Sequence, residues 1–297
     1  MPCHYENVMS DAMCVFDRDL IRCRRQRAAA GFVAHDFLFR EVGGRLVSRL
    51  DDLRQRFPVV LELGCRTGIL AELVGDRGGI ECLVRSELSE AMAQKAVALW
   101  PSALTVIADE EQLPFRAGLF DLVMSNLVLH WVNDLPGTLV QVHRVLKPGG
   151  IFLASMVGGH SLSELRTALA MAESAQEGVV RSLRISPFVA DARTAGTLLQ
   201  RAGFAMQVVD CDTIIVRYAN PMQLLRDLRG TGESNAIRER RRTPLRRGTL
   251  QAALDHYRIV HTDSDGRVPA TFQILYLTAW TTERSSASSR ERAHCRT

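Results

Sequence analysis

Apolar and polar positions alternate in two ways along the first half of the chain. Continuous apolar runs predict buried strands at Val59–Leu63, Ile80–Arg85, Leu104–Ala108, Leu119–Ser125 and Ile151–Met156. Apolar residues spaced three and four positions apart predict helices at His35–Arg56, Gly68–Val74, Ser89–Leu99 and Leu135–Leu146. Pro148-Gly149-Gly150 ends the last of these helices and leads into the next strand. Strands that alternate with helices predict an α/β fold with a doubly wound, mostly parallel sheet and helices on both faces.

The second half of the chain has a looser pattern. Ser161–Gln176 predicts a helix in which Ser161 and Glu164 form a capping box. Asp191–Ala202 predicts another helix, which ends at Gly203. Met206–Tyr218 alternates like an exposed edge strand or a hairpin, and Thr271–Trp280 predicts the final strand. The complete sheet is therefore expected to have seven strands.

The domain organisation follows from these elements. Residues 1–30 are expected to form an N-terminal arm or lid, in which Asp17–Arg27 forms a short basic helix. Residues 31–282 are expected to form one domain, with insertions at about 160–200 and 220–265. The serine- and arginine-rich residues 283–297 predict a disordered tail.

Composition limits the compartment in which the protein works. The chain has 297 residues, a formal net charge of +4 and seven cysteines without a C-x-x-C pair, which predicts neither a disulfide framework nor a zinc site. No apolar run approaches the ~18 residues that span a bilayer. The acidic N-terminal stretch resembles neither a secretory nor a transit signal. The expected compartment is a bacterial cytoplasm, or the mitochondrial matrix side if the source is eukaryotic.

The segment Arg238–Arg247 is an arginine-rich cluster. It lacks the interleaved aromatic residues on which bases stack, so no nucleic acid is expected as a partner. A solvated basic face is the ordinary interpretation of such a cluster, and docking of an acidic protein surface is the alternative.

The loop VVLELGCRTG at residues 59–68 joins the first strand to a helix. Glu62 lies at the end of the strand, and Gly64 and Gly68 lie in the turn that follows. This arrangement brings backbone N–H groups up to a small anionic or zwitterionic ligand. A dinucleotide site would need G-x-G-x-x-G after the strand, and this loop lacks that spacing.

Polar residues also follow the next three strands. Glu87 follows the second strand, where a carboxylate can accept hydrogen bonds from both ribose hydroxyls. Asp109 and Glu110 follow the third strand, where a carboxylate can accept from an adenine amino group, and Ser125 and Asn126 end the fourth. A doubly wound sheet binds its ligand at this edge, so the four strand ends predict one site.

These segments resemble the successive motifs of the class I S-adenosylmethionine-dependent methyltransferases. The resemblance lies in Glu62–Gly68, ADEEQLPF at Ala108–Phe115, FDLVMSNLVLHWVNDLP at Phe120–Pro136 and VLKPGG at Val145–Gly150. Further segments resemble one branch of that superfamily: FDRDL at Phe16–Leu20, ISPF at Ile185–Phe188, RAGF at Arg201–Phe204, GESN at Gly232–Asn235 and VPATFQI at Val268–Ile274. The branch contains the mitochondrial complex I assembly factor that hydroxylates an arginine, together with its bacterial relatives. The similarity covers roughly residues 14–282.

The resemblance implies S-adenosylmethionine as the cofactor. The residues that it implies as binding are Glu62, Gly64, Cys65, Arg66, Gly68, Glu87, Leu88, Asp109, Glu110 and Asn126. It also implies hydroxylation of a protein arginine in an iron–sulfur subunit of respiratory complex I, which leaves peripheral membrane association open. Two alternatives remain: an ordinary methyltransferase on a carboxylate or acyl substrate, as in biotin synthesis, and a non-catalytic assembly factor. No catalytic residue is assigned, and no metal site is expected.

Arg66 departs from the motif because it stands where the family has its middle glycine. Glycine permits a left-handed backbone and lets the main chain approach a ligand without a Cβ atom. Arginine at this place could block the carboxypropyl arm of the cofactor, or its guanidinium could pair with the carboxylate of that arm. His160 is a second departure, since relatives tend to carry an acidic residue there.

His130-Trp131 follows the fourth strand and lies where a substrate nucleophile would approach. His130 is the best histidine candidate near the site, and a structural role at a helix start is its alternative. A methyl transfer needs mainly alignment of the nucleophile with the sulfonium, and it needs a base only if the nucleophile carries a proton.

Overall fold

The computed structural model describes residues 14–177 and 191–283. A seven-stranded sheet forms its centre, in the order β3-β2-β1-β4-β5-β7-β6. The strands are β1 Val59–Leu63, β2 Cys82–Glu87, β3 Leu104–Ile107, β4 Phe120–Asn126, β5 Leu146–Val157, β6 Met206–Tyr218 and β7 Val268–Trp280. Strands β1 to β5 pair in parallel, whereas β7 is antiparallel to both β5 and β6. The predicted doubly wound, mostly parallel sheet is confirmed.

The order of the strands reverses at β1, which pairs with β2 on one side and with β4 on the other. A crevice therefore opens at the carboxyl end of β1, where the following helices leave in opposite directions. The loops after β1, β2, β3 and β4 all lead to this edge. The described helices are α1 Arg18–Ala28, α2 Phe37–Ser48, α3 Ile69–Val74, α4 Glu90–Leu99, α5 Leu135–Val145, α6 Ser163–Glu177, α7 Ala192–Arg201, α8 Pro221–Gly230 and α9 Arg247–His261.

Two apolar layers cover the two faces of the sheet. Side chains alternate across a strand, so Val60 of β1 joins one layer and Leu61 joins the other. The first layer packs β1, β4 and β5 against α2, α6 and α9, and the second packs them against α5 and α7. Each fully buried leucine or phenylalanine stabilises the fold by roughly 1.5–3 kcal/mol. The crevice is thus held between two rigid layers.

Strand β5 begins earlier than the sequence predicts. Leu146 already pairs with Phe120, and the next register pair, Leu122 with Ile151, has shifted by several residues. Pro148-Gly149-Gly150 therefore forms an irregularity inside the strand, with Gly149 at a φ of 74°. Proline and glycine are tolerated in a strand at such a bulge. The predicted helix end at Leu146 is confirmed to within one residue, because α5 ends at Val145, whereas the predicted strand start at Ile151 was wrong.

The predicted capping box at the start of α6 was also wrong. The Ser161 hydroxyl donates to the carbonyl of Gln273 at 3.1 Å and accepts from its N–H at 2.9 Å. The Glu164 carboxylate accepts from the backbone N–H and the hydroxyl of Thr271. Both side chains therefore bind β7 rather than each other, and the helix begins at Ser163.

The helix predicted at His35–Arg56 is shorter, since α2 ends at Ser48 and a 3-10 turn follows at Arg49–Asp52, but other predicted elements are confirmed closely. The helix predicted at Asp17–Arg27 is α1, and the edge strand predicted at Met206–Tyr218 is β6. Helix α7 has Asp191 as its N-cap and ends before Gly203. Over residues 14–177 and 191–283, every helix is too short or too polar to cross a membrane. The ISPF segment at 185–188 and all but the first residue of the predicted tail lie outside the described residues.

Candidate functional site at the carboxyl end of the sheet

The loop after β1 takes three residues through left-handed backbone. Gly64, Arg66 and Gly68 have φ values of 70°, 53° and 87°. A Cβ atom on Gly64 would lie 2.6 Å from the methyl groups of Val128, so this position needs glycine. Arg66 adopts the left-handed backbone although it carries a Cβ atom, and this costs about 1–2 kcal/mol. Its N–H donates to Glu87 Oε2 at 2.9 Å, which offsets part of the cost.

Glu62 is buried at the end of β1 with an incomplete set of partners. Its Oε2 atom finds no hydrogen-bond donor among the described residues. Burial raises the pKa of Glu62 to about 8, against the opposing effects of Arg85 and of a hydrogen bond from the Leu70 backbone. Glu62 is therefore mostly protonated at neutral pH, and a cation bound beside it would favour the ionised form.

Glu87 and Glu110 share a buried arginine. The Nη1 atom of Arg25 in α1 donates to Glu110 Oε1 at 2.5 Å and to Glu87 Oε1 at 3.2 Å. Glu87 Oε1 also accepts from the Ser89 backbone N–H at 3.0 Å. Arg25 and Glu87 are completely buried, and Nε and Nη2 of Arg25 lack partners among the described residues. The two carboxylates predicted to hold a ribose and an adenine thus also hold an arginine of the chain itself.

Arg18 makes a second contact from α1 to the loop after β3. Its Nη2 donates to Asp109 Oδ1 at 2.5 Å and also binds Glu110 Oε2. Arg25 and Arg18 overcome the effect of burial and lower the pKa of Glu110 to about 2. The same carboxylates raise the pKa of Arg25 above its ordinary value, although burial acts in the opposite sense. The buried charges of α1 and of this loop therefore depend on each other.

Glu233, which is partly buried, forms a third cluster with Arg66 of the loop after β1. The Nη2 atom of Arg66 donates to Glu233 Oε1 at 2.5 Å. His130 Nε2 and Trp131 Nε1 donate to the other oxygen, Oε2, at 3.1 and 2.5 Å. The guanidinium of Arg66 also lies 5.5 Å from the ring centre of Phe39. These donors lower the pKa of Glu233 to about 2, so it is ionised at neutral pH.

A cover over this edge is formed by α1 and residues 232–240. Asp17 N–H donates to the carbonyl of Ala236, and Arg238 N–H donates to the carbonyl of Val15, both at 2.8 Å. Phe16, Ile21, Ala236 and Ile237 form an apolar cluster with Leu88 and Trp131 of the strand-end loops. Arg240 of the basic cluster pairs with Asp17 at 3.2 Å, whereas most of that cluster is exposed.

The remaining predicted residues contact other parts of the chain itself. The Asn126 amide donates to the Phe39 carbonyl at 2.9 Å and accepts from the Ser155 hydroxyl at 2.7 Å. Cys65 is buried, which raises the pKa of its thiol. Leu88 packs in the apolar cluster beneath the cover, and His160 is exposed with its backbone N–H bound to Gln273. Residues 14–177 and 191–283 contain no group of three or more His, Cys, Asp or Glu side chains that could hold a metal ion.

A cavity of about 160 Å³ lies beside the Glu233 cluster. Its walls are mainly apolar side chains of α2, α6 and α8, including Phe39, Leu165 and Leu224. His130, Trp131 and Glu233 also line it, as does the pair in which His35 Nδ1 contacts Asp227 Oδ1 at 2.7 Å. The cavity therefore combines an apolar wall with two partly buried carboxylates, Glu233 and Asp227.

The sequence did not identify Arg18, Arg25 and Glu233 as parts of this site. Arg18 and Arg25 are seven residues apart in the predicted basic helix, and that spacing puts two side chains on one face. This was the available signal that α1 faces an acidic surface. Glu233 lies in the GESN segment, which contributed to the family resemblance but for which no binding role was predicted.

Comparisons with known proteins agree with this architecture. Residues 61–154 match the family described as "Methyltransferase domain". The human arginine-hydroxylase NDUFAF5, mitochondrial, is 42% identical over 280 residues, which cover 94% of this chain and 80% of that protein. The malonyl-[acyl-carrier protein] O-methyltransferase of Methylovorus sp. is 32% identical and covers 90% of both chains. The YcgJ protein from Bacillus subtilis shares the fold, with a TM-score of 0.56 and 13% identity over 80% of this chain and 98% of that one.

Proposed function

This chain belongs to the family of methyltransferase-fold enzymes that includes the arginine-hydroxylase NDUFAF5, and from this premise we propose that it binds S-adenosylmethionine and modifies a protein arginine. The observation that carries the proposal is the incomplete bonding of Glu62 and Arg66 beside the glycine turn. Both side chains are at least 98% buried, and Glu62 Oε2 together with Arg66 Nε and Nη1 lacks hydrogen-bond partners among the described residues. Buried polar atoms of this kind normally have partners, so they favour a ligand.

The cofactor has polar groups that suit these atoms. Its ammonium group would bind Glu62, and its carboxylate would bind the guanidinium of Arg66. Glu87 would accept from the ribose hydroxyls, and Asp109 and Glu110 would accept from the adenine amino group. The bound cofactor supplies an activated methyl group on a sulfonium, and the chain's own residues orient it. Of the two roles open to Arg66, pairing with the cofactor is thus better supported than blocking it.

Helix α1 acts as the lid of this site in our proposal. Arg25 holds Glu87 and Glu110 in place of the nucleoside, so the cofactor must share these carboxylates with Arg25 or displace it. Residues 232–240 would move with the lid, since their backbone is bonded to that of residues 15–17.

The proposed reaction is hydroxylation of an arginine in an iron–sulfur subunit of complex I, as the NDUFAF5 resemblance implies. One oxygen atom enters a C–H bond, with dioxygen and a two-electron reductant as co-reactants and water as the second product. The chain's contribution would be to bind and orient the arginine. The bacterial cytoplasm, or the matrix side of the mitochondrion, is the matching compartment. Methyl transfer to an acyl substrate is the alternative favoured by the O-methyltransferase relative.

Titration calorimetry with S-adenosylmethionine tests the cofactor site. The wild-type chain is expected to bind, and Glu87→Gln is expected to weaken binding at least about tenfold, because a charge-assisted hydrogen bond contributes about 1.5–3 kcal/mol. Glu90→Gln, on an exposed residue three positions away, is the matched control and should bind normally. Absence of binding by the wild type, with binding recovered in Arg66→Gly, would instead support the non-catalytic assembly factor.

Mass spectrometry of the complex I subunit in cells that lack the gene separates the two reactions. Loss of one oxygen atom from an arginine would support hydroxylation. Loss of a methyl group from another acceptor would support methyl transfer and overturn the arginine proposal. The same measurement after re-expression of the Glu87→Gln variant checks that the modification depends on this site.

Cofactor binding is also expected to release a proton from Glu62. With a pKa of about 8, Glu62 is roughly nine-tenths protonated at pH 7, and an ammonium partner would draw it into the ionised form. The affinity should therefore rise from pH 6 toward pH 8, above which the ammonium group of the cofactor loses its own proton. Calorimetry in buffers of different ionisation enthalpy should measure nearly one proton released at pH 7, and none for Glu62→Gln. An affinity that stays flat between pH 6 and pH 9 would contradict this role.

A further inference from the structure

The two carboxylate oxygens of Glu233 accept hydrogen bonds from different kinds of donor. Oε2 accepts from the ring nitrogens of His130 and Trp131, two residues of one short buried turn. Oε1 accepts from the guanidinium of Arg66. Oε1 is therefore a preformed acceptor for one guanidinium group.

Arg66, which binds this acceptor, has too few hydrogen-bond partners for its guanidinium group. Arg66 is 98% buried, yet Nε and Nη1 have no hydrogen-bond partner among the described residues. Burial and the nearby charge of Arg25 lower the pKa of Arg66. A buried charge with unpaired donors carries a penalty, so a second anion would compete well for this guanidinium.

The backbone of Arg66 lets its side chain exchange partners without moving the loop. The left-handed turn is fixed by the bond from Arg66 N–H to Glu87. The side chain rotates about its own bonds from that anchor. The carboxylate of S-adenosylmethionine would arrive at this same loop, as proposed above.

The cavity beside Glu233 has the character of an arginine side-chain site. Phe39 borders it and already lies 5.5 Å from a guanidinium, a distance typical of a cation–π contact. Leu165 and Leu224 give it apolar walls that suit a methylene stem. Glu233 supplies the charge that a guanidinium needs.

We propose that Glu233 Oε1 is the binding site for the guanidinium of the substrate arginine, and that Arg66 occupies this site until the cofactor arrives. This inference rests on the proposed function, because it takes the substrate class and the cofactor from there. When S-adenosylmethionine binds, Arg66 transfers to the carboxylate of the cofactor and releases Oε1. The substrate arginine then enters the cavity and takes the place of Arg66. Substrate binding is consequently ordered after cofactor binding.

The test measures binding of N-acetyl-arginine amide by calorimetry, with and without saturating S-adenosylmethionine. Its neutral isostere, N-acetyl-citrulline amide, is the ligand control. In the wild type, the cofactor is expected to increase the affinity for the arginine amide at least about fivefold, a coupling of ordinary size. In Arg66→Gly, the arginine amide should bind equally well with and without cofactor, because Oε1 is already free.

Glu233→Gln is expected to lower the affinity for the arginine amide at least about tenfold in both backgrounds. Glu239→Gln, on an exposed residue of the same segment, should leave it unchanged. Retention of S-adenosylmethionine binding by Glu233→Gln shows that this variant is folded. A structural ion pair predicts a different pattern, in which Arg66→Gly binds neither amide or binds both equally, and either result overturns the inference.

The Arg66→Gly arm also separates this inference from the proposed function. It needs no cofactor, so selective binding of the arginine amide would support the Glu233 site even if S-adenosylmethionine fails to bind. Conversely, normal cofactor binding without any selectivity for arginine over citrulline would overturn the Glu233 site and leave the cofactor proposal intact.

Discussion

Replacing Arg25 with methionine is expected to lower the free energy of unfolding by about 3–5 kcal/mol. The substitution keeps most of the aliphatic volume but leaves Glu87 and Glu110 buried beside an uncharged side chain. Both carboxylates are at most 1% exposed, so water cannot replace the lost guanidinium. Urea unfolding followed by circular dichroism measures the change.

Arg22→Met is the matched control for this prediction. Arg22 lies on the same helix, but its side chain is 55% exposed and its partner Asp19 is 87% exposed. Exposed ion pairs contribute at most about 1 kcal/mol, so the control should unfold almost like the wild type. Equal stability of the Arg25→Met and Arg22→Met variants would show that α1 does not neutralise the acids of the site.

Acidification is expected to remove a second large part of the stability. The pKa values of Glu110 and Glu233 are lowered from 4.5 to about 2 in the folded chain, and a shift of this size corresponds to about 3 kcal/mol for each group. The stability that these carboxylates contribute is present above pH 4.5 and is lost as the pH falls toward 2, since the unfolded chain binds protons first.

Urea unfolding between pH 6 and pH 3 measures this loss. Glu110→Gln should be less stable at pH 6 and should have a shallower dependence on pH, because one of the two groups no longer titrates. Glu239→Gln, on an exposed residue, should keep the slope of the wild type. A wild-type slope that persists in Glu110→Gln would mean that other carboxyl groups cause the acid sensitivity.

Much of this architecture could be predicted because its signals are local. The run Val59–Leu63 and the alternation of Met206–Tyr218 identify strands within a few residues of sequence. The positions of Glu87 and Glu110 follow from the rule that parallel strands end at a common edge. The left-handed backbone of Arg66 was indicated by the glycine that the motif has at that place.

The parts that could not be predicted depend on contacts between distant residues. Arg25 meets Glu87 and Glu110 across 62 and 85 residues of sequence. Which face of α1 meets the sheet is decided by packing, and a helical pattern does not specify its partner. The bulge in β5 was missed because Pro148-Gly149-Gly150 is also a common helix-ending signal.

The pair formed by Arg66 and Glu233 has a consequence for the synthesis of the protein. The two residues are 167 positions apart, so Arg66 leaves the ribosome long before its partner. At a translation rate of about 5–20 residues per second, this interval lasts roughly 8–30 seconds. During that time the first strands can assemble. The guanidinium of Arg66 cannot yet be buried as an ion pair, because Glu233 has not been synthesised. The cofactor edge is therefore completed late in biogenesis, and until then the nascent chain carries the guanidinium of Arg66 without its Glu233 partner.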